Sequence, residues 1–194
     1  MDLAIPTGRI HAHHHAVQFY GDESELFKTI SAFLIESLVS YQPAVVIATK
    51  PHTQAVLDDL TARHIDVPKA RQIGDLVVLD AEETLSTFMV DGMPNHDLFK
   101  RNVGAVMEQA IRGRERTPVR AYGEMVDVLW KKGQADAAIK LEVFWNELAS
   151  AYSFSLLCGY AIGNFYEQTS RLEDVMQQHT HVIGTNVAPL RAVK

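Results

Sequence analysis

The sequence has one cysteine, no long apolar run and no cluster of basic residues, and each shortage excludes a class of protein. Because Cys158 is alone, the chain forms no internal disulfide, and the N-terminus lacks the pattern of a secretion signal, so we predict a cytoplasmic protein. The longest apolar runs, PAVVIAT and LLCGYAI, are shorter than the roughly 18 residues of a membrane-spanning helix. A net charge of -6 without a basic patch argues against direct nucleic-acid binding.

Sequence motifs of nucleotide and hydrolase chemistry are also missing. The patterns GxxxxGK[ST], GxGxxG and GxSxG do not occur. The turn after the first predicted strand reads YGDESE, and its acidic Asp22, Glu23 and Glu25 would repel a phosphate rather than bind it. These absences argue against NTP hydrolysis, dinucleotide binding and serine hydrolase activity.

The pattern of apolar residues predicts alternating strands and helices. Predicted strands are HAVQFY at 15–20, AVVIAT, DLVVLDA, VRAYGEMVD and FSLLCGYA. Apolar residues at helical spacing predict helices after Asp22, at 51–63, at 82–89, after Asn95, at 134–149 and at 164–178. Parallel neighbours need helical crossovers, so we predict a three-layer α/β fold with a mainly parallel sheet and helices on both faces.

The predicted domain organisation has three parts. Residues 1–13 form a flexible, histidine-containing lead-in, and residues 14–178 form a single domain of ordinary size. Residues 179–194 have no period, and we predict a loosely ordered tail.

Histidine and cysteine invite a metal or catalytic interpretation. In the tract HAHHH, His13 and His15 point to one side of a strand and are able to share a metal. The remaining histidines are His52, His64, His96, His179 and His181, which are scattered without ligand spacing. We therefore predict a solvated tract and no metal site, and a His-tract metalloprotein is a less favoured alternative. Cys158 lies within a predicted strand, so we predict a buried thiol that packs like a small apolar side chain and is not a nucleophile.

Three blocks of the sequence resemble a known sensory family. HAVQFYGDESEL, VRAYGEMVDVLWKKGQADAAIKLEVFWNEL and FSLLCGYAI resemble the MEDS domain, named from methanogen and methylotroph regulators of the dichloromethane-repressor type. The likeness runs from about His14 to about Phe165, and GEM, LE, WN and LCGY are its most specific parts. It implies a RecA/KaiC-like fold whose Walker A loop is lost. It also implies a signal-input role, in transcriptional regulators or beside histidine kinases, with hydrocarbon derivatives among the suggested ligands.

A ligand site is expected beyond the carboxyl ends of the strands. The predicted ligand-binding residues are His15, Phe19, Tyr20, Tyr122, Glu124, Glu142, Trp145, Asn146, Cys158 and Tyr160. Glu142, Trp145 and Asn146 share one helical face. A carboxylate in an apolar stretch must be paired, exposed or protonated. Glu124 and Glu142 therefore either form structural ion pairs, for example with Arg120 or Lys140, or face a ligand. Trp145 and Tyr160 fit the core equally well.

These observations favour a non-enzymatic sensory or regulatory domain. It would bind a small molecule, apolar compounds included, and signal through a partner such as a histidine kinase or transcription factor, because the sequence shows no helix-turn-helix and no kinase domain. The alternative is a ligand-free interaction or oligomerisation adaptor, and a homo-oligomer fits either. The sequence leaves the cofactor and the ligand open.

Overall fold

The computed structural model describes residues 14–114, 118–165 and 169–183. Its elements in chain order are β1 (His15–Tyr20), α1 (Glu23–Leu38), β2 (Ala44–Ala48), α2 (Lys50–Ala62), α3 (Val67–Gln72), β3 (Leu76–Asp80), α4 (Ala81–Ser86), β4 (Met89–Val90), β5 (Met93–Pro94), α5 (His96–Ile111), β6 (Val119–Gly123), α6 (Met125–Lys131), α7 (Ala135–Ala151), β7 (Phe154–Ala161), α8 (Thr169–Gln177) and β8 (His181–Ile183).

A parallel sheet forms the centre of the fold. Among the described residues it has six strands in the order β3-β2-β6-β7-β1-β8, and every pairing is parallel. The strands β4 and β5 form a separate antiparallel hairpin. The predicted α/β architecture with a parallel sheet is confirmed, while the finer likeness to RecA and KaiC stays a prediction.

Helices cover both faces of this sheet. Because strand side chains alternate, Val17 and Phe19 face one core and Tyr20 faces the other. The core around Tyr20 packs α1, α2 and α3 against the sheet, and the core around Phe19 packs the helices α4 to α8. All five residues of β2 are buried, as its unbroken apolar sequence predicts for a central parallel strand.

Short polar side chains start several of the helices. Asp22 accepts a hydrogen bond of 2.7 Å from the Ser24 amide and caps α1, as its position in the sequence predicts. Asn95 caps α5 in the same way, through the Leu98 amide. The acidic turn after β1 is therefore a helix cap.

Three sequence predictions need correction. The predicted strand VRAYGEMVD ends at Gly123, and the residues from Met125 form α6, whose apolar sequence is buried nearly all round and shows no helical period. At residue 164, where the last helix is predicted to begin, Ile162–Phe165 forms a 3₁₀ helix, and the last α-helix is described from Thr169. The predicted loose tail begins at 179, but His181–Ile183 pairs with β1. Residues 1–13 and 184–194 lie outside the described residues. None of the helices in the described residues combines the length and the apolar composition that a membrane span requires.

Candidate functional site

A buried polar cluster lies between α7 and the middle of the sheet, with Glu142 at its centre. The Glu142 side chain is 0% exposed. One of its carboxylate oxygens, Oε1, accepts a hydrogen bond of 2.8 Å from the Tyr160 hydroxyl. The other, Oε2, lies 3.2 Å from His15 Nε2 and 3.5 Å from Cys158 Sγ. The neighbouring strands β1 and β7 thus present three polar groups to one carboxylate.

A second histidine reaches this cluster from the segment between α8 and β8. The His179 ring centroid lies 4.1 Å from that of His15, and its Nε2 lies 3.4 Å from Glu142 Oε1. The His179 side chain is 0% exposed. We call His15, Glu142, Cys158, Tyr160 and His179 the Glu142 cluster.

Hydrogen bonds outside the cluster fix the tautomers of both histidines. The Asn146 amide nitrogen donates to the Gln178 carbonyl at 3.0 Å, so the Asn146 Oδ1 faces His15 Nδ1 at 2.8 Å and accepts its proton. His179 Nδ1 lies 2.7 Å from the Val175 carbonyl oxygen and must likewise donate. Each Nε2 faces Glu142, so it donates a hydrogen bond to the carboxylate when the ring is protonated and presents a lone pair when the ring is neutral.

The cluster keeps a single negative charge on Glu142. Burial alone would raise the pKa of Glu142, but the positive charge of His179 and the hydrogen bond from His15 outweigh it and hold this pKa well below its usual range. Burial, followed by the charge of Glu142, raises the pKa of Cys158 well above its ordinary value. Burial likewise raises the pKa of Tyr160. The Cys158 thiol and the Tyr160 hydroxyl are therefore protonated and act as hydrogen-bond donors.

A second polar cluster lies on the other side of the sheet, at the carboxyl ends of β2 and β6. Its centre, Glu124, accepts hydrogen bonds from the Thr49 amide, from His52 Nδ1 at 2.6 Å and from the Tyr122 hydroxyl at 3.1 Å. His52 Nε2 lies 3.4 Å from a Glu23 carboxylate oxygen, so this imidazole bridges two acids. We call Thr49, His52, Tyr122 and Glu124 the Glu124 cluster.

Asp127 at the start of α6 anchors the end of β1 beside the Glu124 cluster. Its Oδ2 accepts from the Tyr20 hydroxyl at 3.2 Å, and its Oδ1 accepts from the Ala161 amide at 3.0 Å and from Asn164 at 2.8 Å. Lys131 Nζ lies 2.8 Å from Oδ2. With four partners, this carboxylate serves to join β1, β7 and α6.

The His52–Glu124 pair predicts a measurable pH dependence of stability. The hydrogen bond to Glu124 raises the pKa of His52. Burial alone would raise the pKa of Glu124, but the hydrogen bonds from His52 and Thr49 outweigh it and lower this pKa. Because its pKa is raised, His52 stabilises the fold below pH 6.5, and this contribution is lost as the pH rises through the pKa of the folded state. Because its pKa is lowered, Glu124 stabilises the fold above pH 4.5. We expect His52→Gln to lower the free energy of unfolding by about 1.5–3 kcal/mol near pH 5.5.

Urea unfolding at several pH values checks this prediction. The difference between wild type and His52→Gln should shrink steadily from about pH 6.5 toward alkaline pH. The matched control is His96→Gln, at a half-exposed histidine, which should cost less than about 1 kcal/mol at every pH. A His52→Gln difference that grows with rising pH would contradict the assigned charges.

The structure separates the ten predicted site residues into two groups. His15, Glu142, Asn146, Cys158 and Tyr160 meet at the Glu142 cluster. Phe19 packs on Tyr160 with ring centroids 6.0 Å apart, and Trp145 packs against Phe99 and Phe154. The remaining three, Tyr20, Tyr122 and Glu124, lie at the carboxyl ends of the strands on the opposite face. The sequence therefore suggested one site where the structure has two.

The partners of the two glutamates differ from the cations suggested by the sequence. Arg120 pairs with Glu36 and lies over the Phe33 ring, and Lys140 lies over the Phe144 ring. Histidines pair with the glutamates instead: His52 with Glu124, and His15 and His179 with Glu142. His52, His179 and Asp127 are functional candidates that sequence reasoning missed. Their signal was indirect, because a buried carboxylate requires a partner somewhere in the chain.

A small cavity opens next to His15, at the amino ends of β1 and β7. Its volume is about 80 Å³, and it is lined by His14, His15, Trp145, Asn146, Ala149, Phe154, Leu156 and Thr180. This is the end of the sheet opposite to the one that the sequence predicts for a ligand. A larger, open groove of about 510 Å³ lies between the β4–β5 hairpin and the first residues of α7 and α8.

The fold and the two clusters define an α/β domain in which a capped acidic turn, and no phosphate loop, follows the first strand. A family model described as "MEDS: MEthanogen/methylotroph, DcmR Sensory domain" matches residues 14–180. The chain therefore belongs to the MEDS family and is a sensory domain. The match covers every described element except β8 and includes all members of both clusters. No curated protein matches the chain.

Proposed function

We propose that this domain binds a molecule of only a few heavy atoms in the cavity beside His15 and signals through a regulatory partner, without catalysing a reaction. The cavity is the observation that carries the proposal. One water occupies about 30 Å³ in the liquid, so a volume of about 80 Å³ suits a ligand of a few non-hydrogen atoms. The family supplies the sensory role.

The lining of the cavity suggests the chemistry of its ligand. Trp145, Ala149, Phe154 and Leu156 give it apolar walls, and the polar side chains in its lining are His14, His15, Asn146 and Thr180. A lining that joins apolar walls to a small number of polar side chains is typical of small-molecule sites. Short alcohols and halogenated methanes combine these properties within the available volume.

Contacts of the lining give the signal a route to the surface. Thr180 lies between α8 and β8, and its amide donates to the His15 carbonyl at 2.7 Å. Asn146 holds the Gln178 carbonyl just after α8. A ligand that touches Asn146 and Thr180 would favour one arrangement of α8 and β8 over another. Val182 on β8 is 44% exposed, so a histidine kinase or transcription regulator is able to read this change at the sheet edge.

Filling the cavity tests the proposal. Ala149 lines the cavity, so Ala149→Leu should occupy it without removing a polar group. Calorimetric titration with a panel of short alcohols and halogenated methanes should show binding to wild type and at least about a tenfold weaker binding to Ala149→Leu. Ala151→Leu is the matched control, at an exposed position of the same helix end, and should bind like wild type.

Hydrogen exchange follows the proposed signal. Addition of the tightest binder of the panel should change the exchange of amides in residues 175–183 in wild type and leave them unchanged in Ala149→Leu. Equal affinity of Ala149→Leu and Ala151→Leu for the compounds of the panel would overturn the cavity assignment. Tight binding of a regulatory partner without any response to the panel would favour the ligand-free adaptor instead.

A further inference from the structure

The Glu142 cluster contains a set of side chains of the kind that bind transition metals. Four of its members, His15, Glu142, Cys158 and His179, each offer one ligand atom, and these atoms all lie within 4.8 Å of one another. They come from β1, α7, β7 and the segment before β8, so only the folded chain brings them together. Imidazole nitrogen, thiolate sulfur and carboxylate oxygen are the three ligand types that zinc uses in proteins.

Both histidines are held as metal-binding histidines usually are. A metal ligand normally donates its other ring nitrogen to a carbonyl or carboxylate, which fixes the tautomer and the ring orientation. The Nδ1 atoms of His15 and His179 donate to the Asn146 side chain and the Val175 carbonyl. Each Nε2 is thereby left to face the cluster with its lone pair when the ring is neutral.

One of these nitrogen atoms, His179 Nε2, makes no hydrogen bond to any described residue, although it faces the charge of Glu142. The Nε2 of His179 is buried and makes no hydrogen bond, because its 3.4 Å approach to Glu142 lacks hydrogen-bond geometry. Buried polar atoms without a partner are rare, and each needs an explanation. A cation between His179 and the other three ligand atoms would supply the missing partner.

We propose that His15, Glu142, Cys158 and His179 bind one divalent transition-metal ion with the preferences of zinc. Four protein ligands complete a tetrahedral site and leave no open position, as in structural zinc sites. On binding, the Cys158 thiol and each imidazole that carries a proton on Nε2 lose that proton to solvent, and the thiolate and the carboxylate together balance the charge of the ion. The inference goes beyond the proposed function and does not depend on it.

The metal would tie the end of α8 to the sheet. His179 lies two residues after the end of α8 and two before β8, whereas the other three ligands belong to β1, β7 and α7. Because metal binding couples to folding, the loaded protein should unfold at a higher temperature than the metal-free protein. The amides around residue 179 should also exchange more slowly when the metal is bound.

Cobalt binding tests the site directly. The full chain, produced without an affinity tag and without a metal column, is depleted with chelator and titrated with Zn²⁺ and with Co²⁺. Since Cys158 is the only cysteine, a thiolate-to-cobalt charge-transfer band reports coordination at this site alone. We expect one equivalent of bound metal, this band in wild type, and a higher midpoint of thermal unfolding.

Variants separate this site from the histidine tract near the N-terminus. Cys158→Ser should lose the band, His179→Gln should keep it at a higher metal concentration, and both should bind Zn²⁺ at least about tenfold more weakly. His181→Gln, at an exposed histidine two positions along, is the matched control and should behave like wild type. A variant with alanine at His11, His13 and His14 should also retain the band. Circular dichroism of each variant confirms folding.

Three outcomes would overturn the proposal. They are absence of binding by folded wild type, binding without the charge-transfer band, and loss of binding only when the tract is replaced. Ala149→Leu should bind the metal like wild type, because Ala149 is not among the four ligands. Failure of the ligand panel with an intact cobalt site would therefore refute the proposed function alone, and the converse result would refute the metal site alone.

Discussion

Replacing Glu142 with alanine lowers the free energy of unfolding by about 3–5 kcal/mol, the usual cost of removing one partner from a buried ion pair. The Tyr160 hydroxyl, which donates to Glu142 at 2.8 Å, loses its acceptor in a fully buried position. His15 and His179 lose the carboxylate that faces both of them. Buried donors without acceptors cost more than the hydrogen bonds were worth in the intact protein.

Urea unfolding followed by circular dichroism, with chelator present, measures this loss in the metal-free protein. Glu147→Ala is the matched control on the same helix, since Glu147 is half exposed and its contact with His96 should contribute less than about 1 kcal/mol. Glu142→Gln retains an acceptor for Tyr160 and should fall between the two. If Glu142→Ala cost no more than Glu147→Ala, the Glu142 cluster would not be the polar centre of the fold.

The strands of the sheet could be predicted because each carries its own pattern. HAVQFY alternates, and AVVIA is apolar throughout, so β1 and β2 follow from their residues and are confirmed. Neither α6 nor β8 carries such a pattern. The helix α6 buries Met125 to Trp130 on nearly all sides, and β8 has only three residues, which owe their conformation to pairing with β1. Tertiary contacts decided both elements, so periodicity could not find them.

The candidate site was predictable where its residues share one element. Glu142 and Asn146 lie one helical turn apart on α7, and both contact His15 as their shared face suggests. His179 lies far from all of them in sequence and joins only because Thr180 bonds to His15 and draws the chain back to β1. Spacing rules for metal ligands cover ligands of one or two elements. A site assembled from four elements leaves no such spacing in the sequence.

Trp145→Ala should lower the free energy of unfolding as much as Glu142→Ala does, because it removes apolar packing. Trp145 is 1% exposed, and its ring lies 5.2 Å from that of Phe99 and 6.0 Å from that of Phe154, between centroids. Truncating a buried tryptophan removes transfer free energy and leaves a hole, at a cost of about 3–5 kcal/mol. Val143→Ala, at a partly exposed position of α7, is the control and should cost less than about 1 kcal/mol.

The hole left by Trp145→Ala has a second consequence that separates packing from general damage. Trp145 forms one wall of the small cavity, so its removal should join the new space to the existing one. Apolar holes of this kind accept aromatic molecules, and binding to the folded state stabilises it. Indole should therefore raise the midpoint of thermal unfolding of Trp145→Ala and leave that of wild type unchanged. Trp145 would not fill the space beside His15 if Trp145→Ala lowered the free energy of unfolding no more than Val143→Ala does. The same would follow if indole raised the midpoint of thermal unfolding equally in wild type and in Trp145→Ala.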